Sequence, residues 1–240
     1  MNLKKVVDLL KRQSFQPNLL SFFINPFFFI RKGLYKHVKK NSIYIHGKML
    51  DFGCGRKPYK NLFTVDKYIG VDVEISGHSH KNSEVDIFYD GITLPFENES
   101  FDSVFCGEVF EHVFDIEGTI KELKRVLKKG GKGLITIPFA WPEHEVPFDF
   151  ARYSSFGIAS IFERNGFRII SLEKSGHFFE CLVQLTAFYV YTLFHTKSAL
   201  LNTICTFLFI SPLNIIGFCV ASVLPKKYDL YHNIVIVIEK

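Results

Sequence analysis

The stretch Met49-Leu-Asp-Phe-Gly-Cys-Gly55 decides the fold. It is a short apolar run carrying one acid, followed by two glycines with one residue between them. A buried strand that ends at glycines lets its backbone approach a ligand closely, because glycine has no Cβ. An acid near such a strand end, here Asp51, can bind the amine or the hydroxyls of that ligand. The stretch alone fits either a nucleotide-type binding loop or a plain strand-to-helix turn.

The residues that follow exclude two common nucleotide loops. Pro58 stands where the third glycine of the dinucleotide pattern G-x-G-x-x-G is needed, and the chain has no G-x-x-x-x-G-K-[ST]. A second apolar run, Tyr68 to Val73, carries Asp72 about 20 residues after the first. An acid there suits the ribose hydroxyls of an adenosine-containing ligand, and the alternative is a solvated turn residue.

Further motifs follow in a fixed order between residues 86 and 138. They are Asp86-Ile-Phe-Tyr-Asp-Gly-Ile-Thr-Leu-Pro-Phe96, Ser100-Phe-Asp-Ser-Val-Phe-Cys-Gly-Glu-Val-Phe-Glu-His112, Leu123-Lys-Arg-Val-Leu-Lys-Lys-Gly-Gly131 and Gly133-Leu-Ile-Thr-Ile-Pro138. This ordered set resembles the class I S-adenosylmethionine-dependent methyltransferases, in particular methyltransferase type 11-like proteins similar to those of bacterial surface-polysaccharide pathways. The resemblance covers roughly Lys48 to Lys174 and returns in the final strand.

The resemblance implies an α/β fold: a Rossmann-like seven-stranded sheet with helices on both faces and an antiparallel last strand, preceded here by a hydrophobic helical insertion. It also implies S-adenosylmethionine as the cofactor. The cofactor-binding residues that it predicts are Asp51, Gly53 and Gly55 at the methionine end and ribose, with Cys54 as part of the motif, Asp72 at the ribose hydroxyls, Asp90, Gly91 and Ile92 at the adenine, and Glu108 near the methionine moiety or the acceptor.

The acceptor end is predicted from groups that could remove a proton from an oxygen. His144 is the preferred base, His112 the second and Glu111 a weaker third. The segment from Trp141 to Tyr153 resembles the W-x-x-H-x-x-P-x-D-F-x-R-Y segment of surface-polysaccharide methyltransferases. Its predicted acceptor-binding residues are Trp141, Asp149, Arg152 and Tyr153. In the competing interpretation, His112 only orients a helix start, while Asp149 and Arg152 pair and pin the loop.

Bulk composition excludes several other classes. The 240 residues carry a formal net charge of +5, without the long basic run interleaved with aromatics that nucleic-acid binding would need. Five cysteines at scattered positions indicate reduced thiols and no structural zinc. The loop Gly77-His-Ser-His80 lacks a third ligand at suitable spacing, so we expect no metal. A secretory signal is not expected, because no small-residue cleavage site follows the first apolar stretch.

Three regions are predicted. Residues 1–45 form a helical lid or a membrane-interface segment, residues 46–176 with 228–240 bind S-adenosylmethionine, and residues 177–227 are the hydrophobic insertion. Residues 199–224 carry no charge and are long enough to span a bilayer. Both ends of the insertion must lie on one side of any membrane, since the last strand rejoins the sheet. A hairpin dipped into the interface is favoured over two spans and over a buried helical pair or dimer interface.

The sequence thus predicts a methyltransferase that O-methylates a sugar or a lipid-linked glycan intermediate at the cytoplasmic face of the membrane. One alternative is a methyltransferase of a quinone-like lipid ring. Another is a non-catalytic, membrane-associated adaptor that keeps the fold. A purely cytoplasmic location, a homodimer and a glycan-assembly partner remain open, and no nucleic-acid partner is expected.

Overall fold

The computed structural model describes residues 13–77 and 83–240, which form two compact units. The sheet unit comprises residues 37–173 and 234–240, and the helical unit comprises the described residues up to 36 together with 174–233. His78 and His80, for which no metal role is expected, lie outside the described residues. The N-terminal segment is described only from residue 13.

Seven strands form one sheet, as the sequence predicted. They are β1 (Lys48–Phe52), β2 (Lys67–Val73), β3 (Ile87–Tyr89), β4 (Phe101–Gly107), β5 (Leu127–Pro138), β6 (Arg168–Ser175) and β7 (Asn233–Glu239), in the order β3-β2-β1-β4-β5-β7-β6. The pairs β1–β2, β2–β3, β1–β4 and β4–β5 are parallel. The start of β5 pairs with the chain end just beyond β7, because Gly130 N donates to Lys240 O and Lys240 N donates to Gly131 O. The last strand therefore runs antiparallel to β5.

The helices occupy the connections and the apolar insertion. They are α1 (Ser21–Ile24), α2 (Phe28–Asn41), α3 (Ile116–Val126), α4 (Ser155–Arg164), α5 (Phe178–Phe194), α6 (Ala199–Cys205) and α7 (Ser211–Val223), with a π-helical turn Thr206–Ile210 joining the last two. Side chains cap the N-termini of several helices. Among them, Asp115 accepts from Gly118 N before α3, and Ser154 accepts from Gly157 N before α4. Such N-caps satisfy amide groups that lack a partner within the helix.

Two local predictions were wrong. The residues after Gly55 predict an α-helix between β1 and β2, but this connection contains a 3₁₀ turn, Lys60–Leu62. Pro58 disfavours helical backbone at the residue before it and has no N–H to donate. Helix α3 ends before Leu127, and Gly130 and Gly131, expected to stop the helix, belong to β5, where they pair with the last residue of the chain.

The core of the sheet unit lies around the central strands. Met49 and Leu50 of β1, Val104 of β4, Leu134 of β5 and Ile236 of β7 are all at most 2% exposed. Strands covered on both faces need continuous apolar runs, which explains the short and almost unbroken hydrophobic segments of the sequence. This buried sheet gives the strand ends, and the groups they carry, a fixed position.

The helical unit joins the N-terminal segment to the insertion through two buried amides. The Gln184 side chain accepts from Phe29 N at 3.0 Å and donates to Pro26 O at 2.8 Å. Asn214 donates from Nδ2 to Phe22 O and Asn25 O, each at 3.1 Å. Sequence patterns did not predict that these two segments pack together, because their contacts bridge more than 150 residues.

The apolar helix predicted before the last strand is present. Residues Ala199–Val223 form a continuous helix of 25 residues with a peak mean hydropathy of 2.1, long and apolar enough to cross a membrane by those two criteria. Only a third of the most apolar 18-residue stretch of this helix is buried. Helix α5 is apolar but shorter, at 17 residues.

Candidate active site

A cleft of about 750 Å³ opens at the carboxyl ends of β1, β2, β3 and β4. The strand order reverses direction between β1 and β4, and open α/β sheets bind ligands at such switch points. Its volume lies within the range of small-molecule sites, roughly 300–1,000 Å³. The cleft lies within the sheet unit.

The cleft is acidic although the chain is basic. Its described lining contains no lysine or arginine. It does contain these carboxylates: Asp72, Glu74, Asp90, Glu108, Asp115 and Glu145. A cleft lined by one sign of charge concentrates ligands of the opposite sign. The lining therefore favours a ligand with positive charge over a nucleotide phosphate.

Asp72 lies at the end of β2 and lines the cleft, where the sequence placed the acid for the ribose. One carboxylate oxygen accepts from Gly55 N at 3.0 Å and the other from Val73 N at 2.9 Å. The first contact joins the glycine loop after β1 to the end of β2. Asp72 thus orders the loop as well as facing the cleft.

Asp90 turns the chain after β3. Its Oδ1 accepts from Thr93 N and Ile92 N, and these hydrogen bonds lower the pKa of the exposed carboxyl. Gly91 also lines the cleft, at a φ of +81°, where a side chain would be strained. Ile92, predicted at the adenine, is exposed and is not among the cleft-lining residues.

The residues of the motif at positions 49–55 do not all reach the cleft. Gly53 lines the cleft, whereas Asp51, Cys54 and Gly55 do not. The buried Asp51 carboxyl accepts a hydrogen bond from the Tyr68 hydroxyl, and burial raises the pKa of Asp51 to about 7. Burial likewise raises the pKa of the Cys54 thiol, so that it stays protonated. The roles of Asp51, Cys54 and Gly55 at the cofactor remain predictions.

Glu108 follows β4 and lines the cleft, as a residue near the methionine moiety or the acceptor would. Its backbone has a φ of +57°, which is unusual for a residue with a side chain. Its N–H donates to Thr136 O at 3.0 Å and so ties this strained position to β5. Strain of this kind is concentrated at functional sites.

The two candidate bases lie together, on different segments. The His112 and His144 rings meet edge to face with centroids 4.8 Å apart. His112 lines the cleft, whereas His144 is not among the lining residues. Burial, and then the neighbouring His112, lower the pKa of His144, which favours a neutral ring. Of the two histidines, His112 is therefore the one that lines the cleft, and which of them acts as the base stays a prediction.

Asp149 and Arg152 form the pair that the competing interpretation expected. Arg152 binds both carboxylate oxygens of Asp149 and also donates to Trp141 O and Pro142 O. Burial opposes ionisation of Asp149, but the hydrogen bonds from Arg152 and His144 N outweigh it and lower its pKa to about 2. The pair thus holds the loop that carries His144.

None of the predicted acceptor-binding residues, Trp141, Asp149, Arg152 and Tyr153, is among those lining the cleft. Burial raises the pKa of the half-buried Tyr153. Their contact with an acceptor remains a prediction.

Glu111, the third candidate, is fully buried beside both histidines. Its Oε1 lies 3.6 Å from His112 Nε2 and 4.0 Å from His144 Nε2, beyond hydrogen-bond distance. Burial, and then the charge of Glu108, raise the pKa of this carboxyl well above its usual range. Its backbone carbonyl accepts from Phe150 N at 2.8 Å, which anchors the loop after β5 to the turn after β4.

Several cleft residues had no signal in the sequence. Glu145, at a φ of +51°, lines the cleft 3.8 Å from His112 Nε2. Phe114 and Phe150 also line it, with ring centroids 5.5 Å apart. Phe114 comes from the connection after β4, and Glu145 and Phe150 come from the loop after β5, so no single local spacing groups the three.

Comparisons with known proteins agree with this geometry. Residues 50–135 match the family model described as a methyltransferase domain. Demethylmenaquinone methyltransferase of Staphylococcus haemolyticus is 32% identical over 111 residues, covering 40% of this chain and 46% of the relative. Sterol 24-C-methyltransferase of Aspergillus fumigatus is 36% identical over 99 residues, covering 35% of this chain and 26% of the relative. The chain thus spans about half the length, or less, of these curated relatives.

The fold also matches solved structures. A SAM dependent methyltransferase from Archaeoglobus fulgidus superposes with a TM-score of 0.54 over 88% of this chain and 96% of that one, at 15% identity. Strand order and this superposition show the fold of class I S-adenosylmethionine-dependent methyltransferases, and residues 50–135 carry the matched methyltransferase domain. S-adenosylmethionine is the cofactor of this domain.

The residues present fit that cofactor. S-adenosylmethionine carries a positive sulfur and an amine, and the described lining of the cleft offers carboxylates without basic side chains. At the rim, a Cβ added to Gly91 would meet only Val73 Cγ1, at 3.5 Å. The glycine there leaves space for a ligand. Asp72 and Asp90 would hold the adenosine part, and Gly53 and Glu108 would hold the methionine part.

Proposed function

We propose that the protein transfers a methyl group from S-adenosylmethionine to an oxygen of an acceptor held near His112. The observation that carries the proposal is the acidic cleft, which runs from Asp72 and Asp90 to Glu108 and His112. When bound, S-adenosylmethionine supplies a methyl group on a positively charged sulfur. In-line transfer depends mainly on holding donor and acceptor in one orientation, which fixed strand ends provide.

The chain's own residues would handle the acceptor proton. His112 Nδ1 lies 2.9 Å from Phe148 O, and a carbonyl only accepts, so this nitrogen carries the ring proton. Nε2 of the neutral ring then has a free electron pair and can take a hydroxyl proton. Phe114 and Phe150 add apolar surface at that end of the cleft.

The acceptor class we propose is a sugar hydroxyl, free or on a lipid-linked glycan intermediate. The supporting groups are the polar His112, Asp115 and Glu145 on the cleft lining. A quinone-like lipid ring is a second candidate. It is favoured by the apolar Phe114, Phe148 and Phe150 in the same lining and by the relatives named for demethylmenaquinone and sterol methylation.

We also propose that the helical unit attaches the protein to a membrane surface as an interfacial hairpin on the cytoplasmic side. Large apolar side chains are exposed along its helices, among them Leu200, Phe207, Leu208, Ile216 and Val223. Exposed apolar patches of this kind indicate a partner or a membrane.

Basic residues of the same unit support a lipid surface as that partner. Lys32 Nζ lies 4.5 Å from the centroid of the Phe218 ring and 3.8 Å from Glu180 Oε1. Burial lowers the pKa of Lys32, Glu180 opposes that shift, and the charges of Lys36 and Lys226 add to it. Clustered lysines beside apolar helices are typical of interfacial anchors on anionic lipid.

The test of the enzymatic proposal is calorimetric titration of the detergent-purified chain with S-adenosylhomocysteine, the product form of the cofactor. Asp72→Ala should bind about 10- to 100-fold more weakly, because a charged hydrogen-bond acceptor is lost. Asp66→Ala, at an exposed acid just before β2, is the matched control and should bind as the wild type does.

Failure of the well-folded wild type to bind would overturn the methyltransferase proposal and leave the adaptor. Transfer of labelled methyl groups then identifies the acceptor, with isolated sugars, a lipid-linked glycan fraction and quinone precursors offered separately. Binding without transfer to any of these would favour the adaptor that keeps the fold.

A further inference from the structure

Three metal-ligating side chains converge beside the cleft. Glu111 and His112 come from the 3₁₀ turn after β4, and His144 comes from the loop after β5. One ligand atom from each of the three lies within 4.8 Å of the other two, and Glu111 Oε1 is 3.6 Å from His112 Nε2 and 4.0 Å from His144 Nε2. Since the segments are 32 positions apart, the sequence showed no ligand spacing.

Glu111 is the independent sign that a ligand belongs here. Its side chain is fully buried, and neither carboxylate oxygen has a hydrogen-bond partner within the protein. Buried polar groups are nearly always satisfied, and a buried carboxylate without a partner is strongly unfavourable. The two imidazole nitrogens are near it but too distant to satisfy it.

Both imidazoles are held by their other nitrogen. Nδ1 of His112 is bound to Phe148 O, which leaves Nε2 free to act as a ligand. Nδ1 of His144 lies 3.2 Å from Asp149 Oδ2 and 3.4 Å from Arg152 Nη2. When Nε2 of His144 binds a cation, the proton lies on Nδ1 and the Asp149 carboxylate accepts it, in place of the contact in which Arg152 Nη2 donates to Nδ1. Carboxylate and carbonyl groups behind metal-bound histidines orient the rings in this way.

The distances are close to those of a coordinated ion. An ion at roughly 2.1 Å from each ligand holds the ligand atoms about 3.0–3.4 Å apart. The two gaps to Glu111, 3.6 and 4.0 Å, and the widest separation in the cluster, up to 4.8 Å, would close by side-chain rotation when an ion binds. Glu145 lines the cleft, and its Oε2 lies 3.8 Å from His112 Nε2, so it could serve as a fourth ligand. If Glu145 does not bind the ion, that side of the ion is open to the acceptor.

We propose that Glu111, His112 and His144 form a binding site for a first-row divalent transition-metal ion. Two imidazoles and one carboxylate suit Zn²⁺, Fe²⁺, Mn²⁺ or Co²⁺ and are unlike the all-oxygen sites of Mg²⁺ and Ca²⁺. The proposal departs from the expectation, drawn from sequence spacing, that the chain has no metal site.

The inference deepens the proposed function, on which its chemical role rests. An acceptor oxygen bound to the ion would become more acidic, since a metal ion polarises its ligands. The hydroxyl proton passes to the Glu145 carboxylate and then to solvent, the oxygen electron pair forms the new O–C bond, and the C–S electron pair stays on sulfur. The ion would thus replace His112 as the group that ionises the hydroxyl.

The experiment is a titration of the tag-free, chelator-treated full chain with Co²⁺ alone. Binding is measured through the visible absorption of protein-bound Co²⁺. One equivalent should bind, and Glu111→Gln and His144→Gln should each bind more than about 100-fold more weakly, since losing a ligand costs at least as much as losing a group behind one. His46→Gln, at an exposed histidine outside the cluster, should match the wild type.

Two outcomes would overturn the metal site: no Co²⁺ absorption with the wild type, or equal binding by wild type and Glu111→Gln. Using variants from two separate segments, each checked by circular dichroism, keeps the test valid if one of them does not fold. S-adenosylhomocysteine binding is measured on the same samples without Co²⁺. Its loss with Co²⁺ binding intact would overturn the proposed function and leave the metal site standing.

Discussion

The Tyr68 hydroxyl donates a hydrogen bond to the buried carboxyl of Asp51, the acid of the motif that decides the fold. This contact joins β1 to β2 one step behind the cleft, since Asp51 is not among the lining residues. Burial raises the pKa of Asp51 to about 7, so the carboxyl is partly protonated near neutral pH. The stability of the fold should therefore depend on pH through the ionisation of Asp51.

We expect Asp51→Asn to stabilise the protein increasingly as pH rises from about 4 to about 7. The pKa of Asp51 is higher in the folded chain than in the unfolded one, so the folded state holds the proton longer and loses stability across that interval. Asparagine never ionises, and its carbonyl can still accept from Tyr68. The difference should reach on the order of 4 kcal/mol above pH 7.

Urea unfolding of both proteins at about pH 5 and about pH 8 measures that difference. Asp66→Asn, at an exposed acid, controls for general charge effects. A difference that does not change with pH would contradict the prediction.

The Asp149–Arg152 pair should matter for turnover and not for cofactor binding. We expect Arg152→Met to reduce methyl transfer by about 10- to 100-fold, because the loop that carries His144 loses hydrogen bonds to Trp141 O and Pro142 O. Affinity for S-adenosylhomocysteine should stay within about twofold, since Arg152 is not among the cleft-lining residues. Transfer assays and calorimetry on one preparation measure both quantities.

Arg168→Met, at an exposed arginine paired with Glu239, is the matched control. Equal loss of turnover and of cofactor affinity in Arg152→Met would show that the pair supports the whole cleft and not His144 alone.

Gln184 should hold the N-terminal segment in the helical unit. We expect Gln184→Leu to lose about 1–3 kcal/mol of local stability, because the amide of Phe29 and the carbonyl of Pro26 lose a buried partner. Amide hydrogen exchange across residues 27–31 should become faster by roughly the corresponding factor of 5 to 150. Thr186→Val, at an exposed threonine of the same helix, should leave exchange there unchanged.

Membrane attachment predicts a response to both lipid charge and apolar surface. The wild type should float with anionic vesicles at low salt, bind zwitterionic vesicles more weakly, and lose the difference between them at high salt. Phe207→Ser together with Leu208→Ser should weaken flotation at least tenfold, because these exposed side chains supply buried apolar area.

Ile43→Ser, an exposed apolar residue of the sheet unit, is the matched control. If the double variant changes only the oligomeric state and leaves vesicle binding intact, the apolar face is an interface between copies of the chain.

Local motifs predicted most of the strands of the sheet, but they did not predict every connection between them. The run Lys48–Phe52 and the acid after Tyr68 predicted β1, β2 and the position of Asp72, because strand periodicity and strand-end chemistry depend on neighbouring residues. The predicted helix between these strands is absent, and helix α3 ends before Leu127. Pro58 explains the first difference locally, whereas in the second the pairing of Gly130 and Gly131 with Lys240 outweighed the helix-stop signal.

The sequence by itself indicated most of the strands and the apolar insertion, and its resemblance to a known family indicated the cofactor class, since motifs, spacing and hydropathy are properties of consecutive residues. Only the tertiary structure decided which side chains reach the cleft and which do not. In the folded chain Asp51 does not line the cleft, Asp149 and Arg152 pair with each other, and Glu111 and His144 lie close together. Those outcomes depend on burial and on distances between separate segments, which no local pattern encodes.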